Sequence, residues 1–337
     1  MKSRPEYFLN KFTREKHAGD LHITRMFGAL VAVSQGKVIG LEDYALRYCP
    51  LAARLYDGLS ERADDATTRK QAIARSVEAK IKEFGHFTHR RMITRKAIAA
   101  PYGASEMLMY ALKKKKIDCA VTVCDCAGTV ISNTPEVVQG IGARMNGLFF
   151  TSPVRQVIHD LENHGAQVVF PKTADINQEE GIKKAARLDY KSIAVTVNGF
   201  GKSNLKNMRE LEEKLGISVT LLTVCTTGIT LQRAKELARY SDLVWSCASE
   251  HIRGLGRDAV LQITSGIPVF VFTQKGLDFV SAYCADGGKI SGLEPTKKYL
   301  ISGIHGGQKI IMGDCLTYLS EMNALPIRGK KEPCPLL

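Results

Sequence analysis

From about residue 102 onward, short runs of fully apolar residues alternate with stretches whose apolar positions recur at helical spacing. Residues 105–115 place Met107, Leu108, Ala111 and Leu112 on one helical face. Residues 119–123 then read as a strand. Thr134-Pro135-Glu136 opens the next helix, with Thr as N-cap and Pro in the first turn. Ser152-Pro153 opens another, which runs through His164 and stops at Gly165. Strands follow at 168–170, 193–197, 217–224, 242–246 and 267–272. Helices lie between them: from about 178, at 203–215, 230–239 and 250–264, and from 274 onward. Strands alternating with helices of about 10–15 residues imply right-handed βαβ units. The expected fold class is α/β, a mostly parallel doubly wound sheet over residues 101–290.

The N-terminal part, residues 1–100, has a different rhythm. Residues 28–40 read as two β-prone runs around Ser34-Gln35-Gly36-Lys37, a hairpin signal. Tyr48-Cys49-Pro50-Leu51 breaks the chain. Residues 61–83 are charged, alanine-rich and helical in period, and residues 84–100 are basic. An N-terminal β-hairpin and helical region is therefore expected to precede the main sheet. Residues 291–337 are expected as a C-terminal extension, loose and basic after Pro326.

Chemistry concentrates where apolar strands end. Residues 119–124, 219–225 and 242–247 are each a β-prone run closing near a cysteine (Cys124, Cys225, Cys247), followed by small residues and an expected helix. In a parallel sheet the residues just past the carboxyl ends meet on one edge, where such folds bind ligands. Three thiolates from separate loops suit an iron–sulfur cluster, or a catalytic zinc with one open position. A metal-free reactive thiol and simple packing beneath each loop are the other readings. Cys49, before Pro50, is a candidate fourth ligand. In Cys124-Asp125-Cys126, Asp125 is a candidate acid or base and Cys126 a candidate resolving thiol. Cys119, opening a buried strand, reads as a core residue.

The turns beside these cysteines carry Gly128 and Thr129, Thr226-Thr227-Gly228, and Ser249, whose N–H groups and hydroxyls suit an anion or cofactor. Gly306-Gly307 after Ile304-His305 offers a similar nest. Gly199-Phe200-Gly201-Lys202-Ser203 has the spacing of neither a P-loop nor a dinucleotide fingerprint. The donor-dense run Gly85-His86-Phe87-Thr88-His89-Arg90-Arg91 is a candidate anion clamp.

Composition narrows the function classes. The chain has 337 residues, 45% hydrophobic and 24% charged, as expected of a globular protein with a large core. No apolar run is long enough to span a bilayer and no signal-peptide pattern opens the chain, so a cytoplasmic protein is expected. A formal net charge of +13 reads as charge dispersed over helix surfaces or, alternatively, as a site for an anionic substrate or partner. Aromatics are 7% and no recognised nucleic-acid motif is present, which favours a small anionic molecule over nucleic acid. Nine cysteines, an odd number, argue against a disulfide framework.

Several of these segments resemble the methanogenesis marker protein 8 family: Tyr102-Gly-Ala-Ser-Glu106, Val123-Cys-Asp-Cys-Ala-Gly-Thr-Val130, Pro135-Glu-Val-Val-Gln-Gly-Ile-Gly142, Thr151-Ser-Pro153, Ile193-Ala-Val-Thr-Val197, Thr226-Thr-Gly228 and Cys247-Ala-Ser249. The Gly36-Lys-Val hairpin and Tyr48-Cys-Pro-Leu51 share the likeness, which runs in order from about residue 28 to 280. The resemblance implies an anaerobic cytoplasm and a role in methanogenic cofactor metabolism or enzyme maturation. The chain departs from the family pattern at Cys126, where glycine is expected, and at Cys225, where a His-Thr-Thr-Gly type turn is expected. Two functions follow. One is an iron–sulfur or thiol-dependent enzyme acting on a small anion, by sulfur transfer or a lyase step. The other is a non-catalytic maturation factor with a protein partner.

Overall fold

The computed structural model describes residues 4–14, 19–59, 65–304 and 306–337. His305 and the first residues of the predicted 61–83 helix lie outside them. Strands β1 (His22–Met26), β2 (Ala29–Ser34) and β3 (Lys37–Leu41) form an antiparallel meander. Ser34 pairs with Lys37, and the two residues between them, Gln35 and Gly36, have φ of 49° and 71°. Positive φ at both positions is the type I′ geometry that suits a two-residue hairpin. Strands β4 (Cys119–Cys124) and β5 (Gly128–Ser132) form a second hairpin, and β6 (Leu148–Thr151) pairs antiparallel with β1. The small sheet has the order β3-β2-β1-β6.

The remaining strands are β7 (Gln167–Val168), β8 (Ser192–Asn198), β9 (Ser218–Val224), β10 (Leu243–Trp245), β11 (Leu261–Ile263), β12 (Val269–Val271), β13 (Lys298–Ser302), β14 (Gln308–Met312) and β15 (Cys315–Met322). With β4 and β5 they form an eleven-stranded sheet of order β14-β15-β13-β11-β12-β10-β9-β8-β4-β5-β7. At its centre β4, β8, β9 and β10 run parallel. These are the apolar strands, and apolar layers cover both their faces.

The sheet as a whole is mixed, which corrects the expectation of a mostly parallel doubly wound sheet. β5 and β7 on one side, and β12, β14 and β15 on the other, run antiparallel to their neighbours. Two local causes are visible. Gly128 has φ of 70°, and a Cβ there would lie 2.2 Å from Ala174 O. The tight turn it permits sends Thr129-Val130-Ile131 back as β5 instead of into a helix. Residues 250–264 are likewise not one helix. The helix Glu250–Leu255 passes into a 3-10 turn at Gly256–Asp258, then into β11. The Phe270 ring of β12 packs against the backbone there, 2.3 Å from where a Gly256 Cβ would sit.

The C-terminal segment also differs from expectation. It supplies β13, β14 and β15 to the large sheet. Its end is tied down: Arg47 N and Tyr48 N donate to Cys334 O at 2.7 and 3.0 Å, and Leu337 N donates to Ala248 O at 2.8 Å.

Helix α1 (Arg4–Arg14) packs Phe8 and Phe12 on the small sheet, and four helices bear on the site: α2 (Pro50–Leu55), α3 (Ala66–Phe84), α4 (Ala104–Lys113) and α5 (Pro135–Gly142). α3 is capped by Asp65, whose carboxylate accepts from Thr68 N at 2.7 Å, and is ended by Gly85 in the left-handed region. α5 presses on the 93–94 backbone so closely that a Cβ on Gly140 would lie 2.2 Å from Ile93 O. Gly140→Ala is therefore expected to cost about 1–3 kcal/mol, as overpacking does. A thermal melt checks it, and an unchanged midpoint would show that the 93–94 segment yields freely.

Candidate thiol site

The parallel strands β4, β8, β9 and β10 end on one edge, and the small sheet is fastened over it. Arg25 of β1 donates from Nη1 to Thr227 O at 2.6 Å, and Asn198 Nδ2 donates to Leu148 O at 3.4 Å. Between the two sheets lies a cavity of about 360 Å³. Met26 and Leu148 line it from the small sheet, and Val123, Val224 and Trp245 from the large one. A mainly apolar wall with a few placed polar groups is the usual character of a ligand pocket. Cys49, Cys225 and Cys247 all line this cavity.

Each cysteine is set by its local backbone. Cys225 and Cys247 follow β9 and β10 with φ of 59° and 46°, and Cys126 beyond β4 has φ of 72°. Left-handed backbone costs a residue with a Cβ about 1–2 kcal/mol, and such strain persists where the surroundings over-determine it. Thr226 supplies part of that constraint. Its buried hydroxyl lies 2.8 Å from Trp245 O and 2.7 Å from Ser246 O, which bolts the β9 turn to the β10 turn. Cys49 is the N-cap residue of α2, where Pro50 fixes the first turn.

The buried cysteines divide by hydrogen-bond role. Cys124 Sγ donates to Asp125 O at 3.1 Å, Cys126 Sγ to Thr88 O at 3.8 Å and Cys284 Sγ to Val280 O at 3.7 Å. A donor is a neutral thiol. The three cavity cysteines make no such donation among the described residues. The backbone N–H groups of Ala52 and Leu51 act on Cys49, that of Gly147 on Cys225, and those of Thr226 and Cys225 on Cys247, each in the direction that favours the thiolate. Burial opposes them and wins in the isolated protein, raising Cys49 and Cys247 and pushing Cys225 up to about 12. Arg25 and Lys80 pull Cys225 back down.

Lys80 and Arg25 are both buried. The Arg25 guanidinium stacks 4.0 Å from the Phe200 ring centroid. Lys80 Nζ bonds to Asn146 Oδ1 and lies 5.9 Å from the Tyr56 ring centroid. Burial lowers Lys80 to about 8.

The other expected site residues are placed elsewhere. Cys124 and Cys126 are buried in an apolar cluster with Val130, Val137 and Val157. Asp125 is fully buried and occupied: Oδ1 accepts from Arg91 Nε at 2.8 Å and Oδ2 from Phe87 N at 2.5 Å. The donor-dense run 85–91 is thus an anion clamp whose anion is a side chain of the same chain. Although burial raises it, the Arg91 charge, with His86, holds the Asp125 carboxyl well below the usual range. Thr129 Oγ1 donates to Asp175 O and accepts from Asn177 N, so with Gly128 it secures the 174–177 segment. Ser249 caps the helix Glu250–Leu255. Thr227 lines the cavity, and Gly228 holds the turn beside it at φ of 68°. The 199–203 turn is closed by its own bonds, Gly201 N to Asn198 O and Phe200 N to Asn198 Oδ1.

Residues 22–284 match the family described as an uncharacterized protein conserved in archaea (DUF2099). The chain belongs to that family. An uncharacterized protein of Methanocaldococcus jannaschii is 39% identical over 273 residues, covering 80% of this chain and 93% of the relative. No solved structure matches. The family span contains all three cavity cysteines, with Arg25 and Lys80. Cys315 and Cys334 fall outside it.

Arg25 and Arg144 in the cavity wall, and Lys80 buried behind Asn146 and Tyr56 of that wall, are cations that local sequence reasoning misses. Lys80 did leave a signal. Ile73, Val77, Lys80 and Phe84 recur at spacings of four, three and four, so a lysine stands in the apolar stripe of α3.

Proposed function

We propose that this protein is a thiol-dependent enzyme whose chemistry is carried by Cys49, Cys225 and Cys247 on a small anionic substrate. The observation that carries the reading is that Cys49, Cys225 and Cys247, delivered from three separate segments, line one cavity. Backbone N–H groups near each sulfur favour its thiolate against burial. Two buried cations, Arg25 and Lys80, add to it. In the same reading Cys124 and Cys126 are structural thiols, and Asp125 is a structural counter-ion.

Thiolates from three loops suit an iron–sulfur cluster by donor chemistry. Zinc is the other metal such a set accepts. Among the described residues, no three His, Cys, Asp or Glu side chains already converge tightly enough to hold a metal ion. Ligation therefore requires the three side chains to turn toward one another. A bound group would supply a Lewis-acidic or redox centre at the cavity wall, and Arg25 and Lys80 would offset its negative charge.

The resemblance to the methanogenesis marker protein 8 family supports an anaerobic, cytoplasmic setting and a role in cofactor metabolism. No helix among the described residues is long and apolar enough to cross a membrane. Anaerobic purification followed by iron, zinc and acid-labile sulfide analysis tests the reading, together with peptide-resolved alkylation. Metal held by the three cysteines, or thiols there that alkylate readily, supports it. Absence of metal with all three thiols inert sinks it.

A further inference from the structure

Among the described residues of the cavity wall, the cations are Arg25 and Arg144. Arg25 is committed: it donates from Nε to Gly28 O at 3.1 Å and from Nη1 to Thr227 O at 2.6 Å, and it stacks on Phe200. Glu106, the acid of the wall, is also occupied. Its Oε1 accepts from Ala99 N, Ala100 N and Gln139 Nε2, and its Oε2 from the Ser105 hydroxyl. Arg144 is different. Its Nη1 pairs with Glu83 at 2.9 Å, but Glu83 is about half exposed, and such a surface pair contributes little. Its Nε is buried and donates to nothing among the described residues. A buried donor left without an acceptor is costly, and native proteins rarely keep one without a use. The backbone also holds Arg144 at φ of 52°, the left-handed region that a residue with a Cβ enters only under constraint. Lys80 stands behind Asn146 of the same wall and adds positive potential there.

We propose that Arg144 receives the carboxylate of a monoanionic substrate whose remaining body is apolar and the size of a small aryl group. This names the substrate class of the cavity and rests on the reading of that cavity as the substrate site. The Nε–H and the neighbouring Nη2–H of a guanidinium form one planar edge, which matches the two oxygens of a carboxylate. Glu83 takes Nη1 and leaves that edge to the ligand. One uncommitted cation calls for one negative charge. The rest of the wall sets the body. Phe27, Tyr56 and Trp245 stand in it, and apolar side chains make up most of the remainder. A phosphate or a dicarboxylate would need further donors to replace its hydration, and a cavity of about 360 Å³ walled mainly by apolar groups does not supply them. Thr122 Oγ1, buried on β4, is the other polar atom of the wall without a partner, and it is neutral.

The probe is 3-phenylpropionate, titrated into the full chain at neutral pH. Binding is read by calorimetry and by the fluorescence of Trp245, the single tryptophan of the chain and a residue of the wall. Saturable binding that shifts the Trp245 emission is expected. The neutral isostere 3-phenylpropanamide should bind about tenfold more weakly or worse, as loss of a charged hydrogen bond implies. Inorganic phosphate should not compete. Arg144→Met should weaken the carboxylate to the level of the amide and leave the amide unchanged. Glu83→Gln removes the surface pair but keeps the guanidinium, so it should bind the carboxylate at least as tightly as the parent. Absence of saturable binding to the unsubstituted protein overturns the proposal without recourse to any variant. Equal affinity for carboxylate and amide, competition by phosphate, or equal losses in Glu83→Gln and Arg144→Met overturn it as well. The titration is repeated with Cys49, Cys225 and Cys247 all changed to Ser. Binding that persists there supports the Arg144 subsite even where the thiols prove inert and metal-free, and binding that vanishes overturns Arg144 as an anion site in its own right.

Discussion

Asp125→Ala is expected to cost about 3–5 kcal/mol, the loss seen when one partner of a buried ion pair is removed. Arg91 keeps its bonds to Met92 O, Gly140 O and Ile141 O at 2.6, 3.1 and 2.8 Å, but its charge is left without an anion. Phe87 N also loses its acceptor. Total stability for a domain is roughly 5–15 kcal/mol, so the variant should populate unfolded protein well below the parent's midpoint in urea. Arg91→Met in the same chain should recover part of the loss, because the uncompensated cation is gone. Additive losses in that double-mutant cycle would show that the pair is not coupled. The cluster also sets an acid response in two windows. Burial, with the Arg91 charge, lowers His86 to about 4 against an unfolded value near 6.5. Between those values the unfolded chain binds the extra proton, so stability falls as pH drops through this window, by roughly 3 kcal/mol at most. Asp125 acts lower still. Its folded value is depressed, so its contribution is intact above about 3.9 and is lost as pH falls toward the folded value. His86→Gln should flatten the upper window and leave the lower one. An unchanged slope between pH 6.5 and 4 would show that His86 is not the titrating group.

The same cluster shows why part of the site was not legible in the sequence. A carboxylate between two cysteines reads locally as catalytic. Nothing near residue 125 announces that Arg91, far back in the chain, will bury against it. The parallel centre of the sheet was legible, because β4, β8 and β9 are mostly apolar and a largely buried strand has few other places to go. The flanking antiparallel strands were not. β11 and β12 are three residues each, too short for periodicity to separate strand from helix, and the decisive contact is Phe270 on the Gly256 backbone. Of the expected metal set, Cys225, Cys247 and Cys49 share the cavity and Cys124 does not. Strand ends place four backbones on one edge, but the side chain of each end residue falls on one face or the other, and a shift of one residue reverses it. Gly128 makes that choice for Cys124 by turning the chain straight back. Cys126 adds a smaller lesson: its φ of 72° is a conformation glycine adopts freely and a cysteine does not announce.

Cys247→Ser is expected to remove most of the metal or thiol reactivity of the cavity while the fold persists. Burial raises Cys247, and the backbone N–H groups of Thr226 and Cys225 pull it back down. Its charge also raises both Cys49 and Cys225, so of the three it couples to both others. Serine preserves shape, so packing changes little. Its hydroxyl does not ionise in the accessible range and is a hard, poor ligand for iron or zinc. Metal bound per chain should therefore fall to a small fraction of the parent's, with a melting shift of a few degrees at most. Cys124→Ser makes the opposite prediction. Its sulfur is enclosed by apolar groups and donates to one carbonyl, so a more polar atom there should lower the melting temperature and leave metal content and cavity alkylation as they were. Measuring both quantities on both variants crosses the two roles. If Cys124→Ser loses the metal and Cys247→Ser keeps it, the division into cavity and packing thiols is wrong, and with it the choice of this cavity as the reacting site.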